Sequence, residues 1–261
     1  MAKEGEGLSP LELVEPVRER VRAAERVVVF SGAGVSRESG LDTFRGAGGL
    51  WQQTRPEDLA TPDAFRADPA KVWRWYAWRY RQAAAASPNP AHLAIARLET
   101  LFPSTWVVTQ NVDGLHQRAG SRNLLELHGT INRAVCEWCG GRRDMGEAIT
   151  ESSEGPPICS CGGRFRPAVV WFGEGLPEEV LILAYEEATF CDLFISVGTS
   201  STVYPAANLI ELSSQAGACM IEVNPEPTPF SSVMDLRLAA PAGEALPALV
   251  EAIERSRWPL P

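Results

Sequence analysis

The chain has 261 residues, 45% of them hydrophobic and 22% charged, with a formal net charge of −9. That length holds one large domain with a sizeable core and room for a small insert, and the acidic balance argues against a nucleic-acid backbone as the main partner. No window is apolar over the length needed to span a bilayer and the start, MAKEGEGLSP, has no apolar signal core, so a cytoplasmic protein without a membrane partner is expected.

Residues 8–25 predict an amphipathic helix, with Leu8, Leu11, Val14, Val17 and Val21 at helical spacing. The run Val27-Val28-Val29-Phe30 then predicts a buried strand, which breaks into Ser31-Gly32-Ala33-Gly34 and residues that can open a helix. A strand feeding a glycine turn and a helix N-terminus can seat a pyrophosphate. Taken alone, the turn fits any α/β protein equally well, and Arg37 stands where the dinucleotide fingerprint has its third glycine. The stretch 51–70 is aperiodic, and Pro56, Pro62 and Pro69 mark loops and short helices.

A helix over 70–86 ends at Ser87-Pro88-Asn89-Pro90 and another covers 90–101. A strand over 105–109 runs into Gln110-Asn111-Val112-Asp113, and a short one over 123–127 leads into His128-Gly129. The segment 132–165 is cysteine-rich and shows no core-forming pattern of its own. Beyond it come strand 166–172, helix 177–190, strand 192–197, helix 204–216, strand 218–223, a proline-rich loop, strand 235–239 and helix 243–256. Strands alternating with helices predict a Rossmann-like α/β fold, a mostly parallel sheet with helices on both faces. Ligands of such sheets sit at the carboxyl ends of the strands, where the polar clusters 31–34, 110–113, 198–200 and 224–226 all fall.

Of the six cysteines, Cys136 and Cys139 form one pair and Cys159 and Cys161 another, nineteen residues on, in a glycine-rich segment. Four thiolates there would bind a structural zinc ion tetrahedrally and supply the folding energy that burial does not. Four protein ligands leave no open position for catalysis. The second pair is Cys-x-Cys rather than the longer spacing of most zinc ribbons, so its knuckle must differ.

Together the motifs GAGVSRESGLDTFRG at 32–46, TQNVDGLH at 109–116, LHG at 127–129, VVWFGE at 169–174, GTSS at 198–201 and VNPEPT at 223–228 resemble the sirtuins, the NAD-dependent protein lysine deacylases. The resemblance runs from about residue 20 to 250 and implies a single catalytic domain over 1–261. Its Rossmann-like lobe would take 1–45, 90–131 and 166–261, with a helical, cofactor-loop insert at 46–89 and a zinc-binding module at 132–165.

By the same resemblance NAD is the co-substrate, and its site includes Gly32, Ala33 and Gly34 at the phosphates and Phe44, Arg45 and Trp51 in a flexible loop over the nicotinamide ribose. Gln110, Asn111 and Asp113 would floor the nicotinamide pocket. Gly198, Thr199 and Ser200, with Asn224 and Glu226, would take the adenosine end, and Ala242 would touch adenine by its backbone. His128 matches the general base, which acts on a ribose hydroxyl after the acyl oxygen has displaced nicotinamide; Asn111 is assigned with it to catalysis. His92 is expected to cap or pack a helix and His116 to hold a loop. The partner is the acyl-lysine side chain of a protein, and a monomer is expected.

Tyr76 and Arg79, three apart on one helix face, match the Tyr-x-x-Arg pair of the desuccinylase and demalonylase branch. A guanidinium in a mostly apolar tunnel binds a carboxylate bidentately, and a phenol adds a hydrogen bond. Val170 and Phe172 are expected to line that tunnel, with strand edges at 173–174 and 201–204 for the substrate peptide. Arg37 and Asp42 depart from the family's small residue and proline; Arg37 either adds an ion pair near the phosphates or points to solvent.

Three other functions compete. A nicotinamide dehydrogenase would show an acidic residue about twenty positions after the glycines, where 51–57 is aperiodic. A mono-ADP-ribosyltransferase shares cleavage of the nicotinamide bond, and a non-catalytic NAD sensor would have no use for His128.

Overall fold

The computed structural model describes residues 10–43 and 54–257. The expectations for Phe44, Arg45 and Trp51 lie outside the described residues. The chain opens with two short helices, α1 (Pro10–Leu13) and α2 (Arg18–Ala23), joined by a 3-10 turn over Glu15–Val17. One helix over 8–25 was expected; Pro16, which lacks an N–H and crowds the preceding turn, breaks it. The apolar spacing survives the break, since Val14, Val17 and Val21 are all buried.

Strand β1 (Arg26–Ser31) enters the centre of the molecule and leads into a 3-10 helix, Ala33–Ser39. Two helices follow the undescribed stretch, α3 (Pro62–Ala67) and α4 (Pro69–Ala85), capped by the side chains of Thr61 and Asp68. Next come α5 (Pro90–Leu98), β2 (Ser104–Thr109), α6 (Leu115–Ala119) and β3 (Leu124–Glu126). The cysteine-rich region holds β4 (Gly129–Cys136), β5 (Arg142–Asp144), α7 (Met145–Glu151) and β6 (Phe165–Val169). The chain then alternates through α8 (Glu178–Phe190), β7 (Leu193–Val197), α9 (Asn208–Gln215), β8 (Cys219–Val223), β9 (Leu236–Leu238) and α10 (Ala242–Arg257).

Six of the strands form one sheet in the order β3-β2-β1-β7-β8-β9, and every pairing in it is parallel. Alternation decides the two faces. Val27 and Val29 of β1 pack with Val21, Ile95, Leu98, Leu246, Leu249 and Ile253 on one side. Val28 and Phe30 pack with Ala184, Ala188, Leu209 and Ile210 on the other. Burying both faces explains why the strands read as continuous apolar runs.

A second sheet, β5-β4-β6, is antiparallel. Strand β6 therefore belongs to the small lobe and not to the parallel sheet. Ile131, Ala134, Met145, Ala148 and Phe165 are buried here against Trp73, Tyr76 and Ala77 of α4. Burial therefore helps to hold 132–165, where the lack of a core-forming pattern led to the expectation that zinc alone would do so. Its apolar positions are spread over short strands and a helix of seven residues, too brief to show a period in sequence. Among the described residues no helix is long and apolar enough to cross a membrane.

Candidate active site

Strand β1 lies between β2 and β7, so the loops leaving β1 and β7 meet at the topological switch point of the sheet, where ligands bind. The two loops touch. Gly34 N–H donates to the Gly198 carbonyl at 2.8 Å and Gly32 N–H to the Val197 carbonyl at 3.1 Å. A Cβ on Gly34 would lie 2.7 Å from the Gly198 oxygen, and Gly198, at φ +58°, would bring its own Cβ to 2.5 Å from Val35 N. Besides leaving the backbone open to a ligand, these glycines are what lets the two turns meet.

Above this contact lies a cavity of about 1360 Å³. Ordinary small-molecule pockets occupy roughly 300–1000 Å³, so this one has the volume for a dinucleotide and part of a second substrate. Gly32, Ala33, Gly34, Gln110, Asn111, His128, Gly198, Thr199, Ser200, Asn224, Glu226 and Ala242 all line it. Tyr76, Arg79, Val170 and Phe172 line its other side, from the small lobe. Arg37 is exposed at the rim.

The polar floor is held by a defined network. Asn111 Nδ2 donates to the Gly32 carbonyl at 3.1 Å and to Ser36 Oγ at 3.2 Å, while Ser36 Oγ donates to Asp113 Oδ2 at 2.7 Å. Because its nitrogen is engaged, the Asn111 amide keeps Oδ1 as the atom without a partner among the described residues. Asp113 does not line the cavity; its other oxygen accepts from Leu115 N–H at 2.9 Å and starts α6. Gln110 Nε2 donates to Thr199 Oγ1 at 2.8 Å, and Asn224 Nδ2 donates to the Thr199 carbonyl at 2.8 Å, so three loops are stitched together.

His128 is partly buried, and burial lowers its pKa below the usual histidine value, with the bond to Gln110 partly opposing. His92 builds a capping box with Asn89 at the start of α5. His116 is buried, with Nε2 2.9 Å from Ser31 Oγ and Nδ1 without a partner among the described residues. Desolvation pushes its pKa down to about 3.

On the small-lobe side the Trp171 indole N–H donates to the Tyr76 hydroxyl at 2.9 Å. Burial, its largest influence, raises the Tyr76 pKa and keeps the phenol protonated. Burial also lowers the Arg79 pKa, opposed by the carboxylates of Asp113 and Asp42. Asp42 thus contributes a negative charge near Arg79.

The metal centre is separate. Cys136, Cys139, Cys159 and Cys161 bring their sulfurs within 4.8 Å of one another, with Cys136 and Cys161 at 3.5 Å and Cys139 and Cys159 at 3.8 Å. Zinc–sulfur bonds of about 2.3 Å in a tetrahedron place sulfurs roughly 3.8 Å apart, so the four thiols fit a structural zinc ion and are too far apart to be disulfides. Cys-x-Cys suffices because Gly162 turns at φ +92° and Gly162 N–H closes onto the Cys159 carbonyl at 2.8 Å.

Comparison with known proteins matches residues 32–205 to the profile of the Sir2 family. The chain belongs to that family. It is 50% identical over 240 residues to NAD-dependent protein deacylase 2 of Pyrobaculum aerophilum, covering 92% of this chain and 95% of the relative. A solved Sir2 homologue in complex with NAD aligns with TM-score 0.85 at 41% identity over 98% of each chain. A Sir2 protein bound to a myristoylated histone peptide aligns with TM-score 0.76 at 38% identity, covering 94% of this chain and 97% of that one. This Sir2 protein is accordingly an NAD-dependent protein deacylase, with NAD as co-substrate.

Sequence reasoning missed two residues at the site, Ser36 and Glu38. Ser36, which engages the Asn111 amide, sat unremarked inside the opening motif. Glu38 accepts from Gly243 N–H at 2.6 Å, placing a carboxylate at the N-terminus of α10 beside the cavity. Its partner is more than two hundred residues away, so no local pattern betrays it.

Proposed function

We propose that this deacylase prefers acyl groups that end in a carboxylate, succinyl and malonyl, and releases free lysine, nicotinamide and O-acyl-ADP-ribose. The observation that carries the reading is the state of Tyr76. Indole N–H is only a donor, so the Tyr76 oxygen must accept from Trp171, and its own proton has no acceptor among the described residues. That proton and the Arg79 guanidinium line the same cavity as His128. A carboxylate entering there meets one neutral donor and one cation.

In this reading the 32–34 and 198–200 turns hold the diphosphate and adjoining ribose, and Asn224, Glu226 and Ala242 form the adenosine wall. Gln110 and Asn111, with Asp113 behind them, support the nicotinamide end. Neutral His128 takes a proton from a ribose hydroxyl as it closes onto the imidate carbon. The substrate backbone enters between 173–174 and 202–204, both of which border the cavity.

The test compares succinyl-lysine and acetyl-lysine peptides of one sequence, with NAD, on the native chain and on Arg79→Met. The reading requires kcat/KM for the succinyl peptide at least equal to that for the acetyl peptide, and selective loss of the former in the variant. Equal loss on both peptides refutes it.

A further inference from the structure

Behind the adenosine wall lies a charged pair, Glu222 and Arg237, whose acid the sequence pattern hid inside an apolar strand. Glu222 is the fourth residue of β8, and its side chain is 1% exposed. Its Oε1 accepts from Thr228 Oγ1 at 2.5 Å, and its Oε2 from Ser231 Oγ at 2.5 Å and from Arg237 Nε at 3.1 Å. The two hydroxyls are relays. Ser231 Oγ accepts from Thr228 N–H at 2.8 Å, and Thr228 Oγ1 from Phe230 N–H at 3.2 Å. From β9, Arg237 Nη2 reaches the carbonyls of Pro225 at 3.3 Å and Asn224 at 3.5 Å.

The loop that these bonds hold is Asn224–Ser231, and its composition explains why it needs them. Pro225, Pro227 and Pro229 remove three backbone donors in alternation. The loop therefore has few backbone bonds of its own with which to fix a shape, and side chains from beneath must do so. Residues 224–229 all border the cavity. Asn224 also anchors to the Thr199 carbonyl, so any shift of the loop is passed to the switch-point turn.

We infer that the Glu222–Arg237 pair is a clamp that positions the 224–231 loop for the adenosine half of NAD and so sets co-substrate affinity. The inference rests on the reading of this wall as the adenosine side. Glu222 and Arg237 are positioning residues, acting through Asn224, Glu226 and the loop backbone. A carboxylate satisfies all three donors at once. An amide of the same size cannot, because one of its two positions becomes a donor facing donors. Removing one partner of such a buried pair also leaves the other uncompensated.

The test is steady-state kinetics of the full chain with an acyl-lysine peptide, on Glu222→Gln and on the double variant Thr228→Val, Ser231→Ala. The double variant keeps the ion pair and so guards against a folding failure of the first. Both should raise KM for NAD, about tenfold for Glu222→Gln and less for the double variant, with kcat and the peptide KM within twofold. ADP-ribose affinity should fall in parallel, while inhibition by nicotinamide, which occupies the opposite end, stays unchanged. An unaltered KM for NAD in folded variants overturns the clamp, as does a uniform loss in kcat and both KM values. Asn224→Ala separates the two levels of the argument. If it weakens NAD and the clamp variants do not, only the clamp is wrong; if it leaves NAD binding intact, the adenosine wall is misassigned.

Discussion

The imidazole of His128 is bound to the backbone of Gln110, with Nδ1 3.0 Å from its carbonyl oxygen. A carbonyl only accepts, so Nδ1 carries the proton and Nε2 is the basic nitrogen. The residue that fixes the tautomer immediately precedes Asn111 in the pocket floor. The backbone on the other side is fixed as well, since Val170 N–H donates to the His128 carbonyl at 2.9 Å. The candidate base is thus oriented by main-chain groups from both lobes, which no side-chain substitution removes directly.

This arrangement predicts the acid limb of the pH profile. Burial lowers the His128 pKa and outweighs the bond that would raise it. The base is needed neutral, so kcat/KM should climb through a pKa below about 6.5, the ordinary histidine value, and be level by pH 7.5. His128→Ala should cost at least ~100-fold in turnover. A rate-determining inflection above pH 7 on the acid side contradicts the assignment.

Stability should carry a separate acid sensitivity from His116. Its folded-state pKa is pushed down to about 3 by burial, with His92 adding to the effect. A histidine depressed in this way contributes stability that is present above its unfolded pKa of about 6.5 and is lost as pH falls below it, because only the unfolded chain takes the proton. At pH 5 the loss is about 2 kcal/mol. Thermal melts at pH 7.5 and pH 5 should therefore differ, and His116→Gln should narrow the gap. An identical pH dependence in the variant excludes His116 as the cause.

How much of this was legible in the chain follows from how local each cause is. The parallel sheet could be read because both faces are buried, leaving runs such as Val27–Phe30 with no polar interruption, and strand ends where polar clusters had to gather. The four cysteines could be read because the ligand type is rare. The opening helix was misread because apolar spacing persists across Pro16 while the hydrogen-bonded ladder does not. The small lobe's core was missed because Met145, Ile149 and Phe165 find their partner in α4, far away in sequence. Glu222 and Glu38 are the clearest cases: one sits in an apolar run and the other in a glycine-rich motif. Each acquires its role from residues that only the fold brings near.

Zinc removal should reach the candidate base, His128. The cluster ties the end of β4 to the loop before β6, and β4 begins at Gly129, next to His128. A strong chelator should release one zinc per chain, lower the melting temperature and abolish deacylation, with recovery on adding zinc back. Cys161→Ser should weaken metal retention in the same direction. Full activity after complete metal loss would show that the small sheet holds itself through its contacts with α4 alone.

On the proposed reading of Tyr76, its bond with Trp171 links acyl specificity to stability. Trp171 cannot readily move: Arg166 stacks 3.5 Å from its ring centroid, Phe65 lies at 5.3 Å, and its N–H is directed at the phenol. Tyr76→Phe therefore leaves a buried indole donor without its acceptor, at a cost of about 1–3 kcal/mol. It also deletes the proton offered to an acyl carboxylate, so activity on succinyl-lysine should drop while activity on acetyl-lysine holds. Trp171→Phe removes the donor instead. Adding Tyr76→Phe to it should then cost less stability than Tyr76→Phe alone, because no unsatisfied N–H remains. Catalysis should not show that rescue, since the lost phenol proton is not replaced. Melting temperatures and kcat/KM for both peptides across the four proteins of this cycle decide the matter. Additive stabilities would deny the hydrogen bond its energetic role, and equal losses on the two peptides would deny Tyr76 its part in acyl selection.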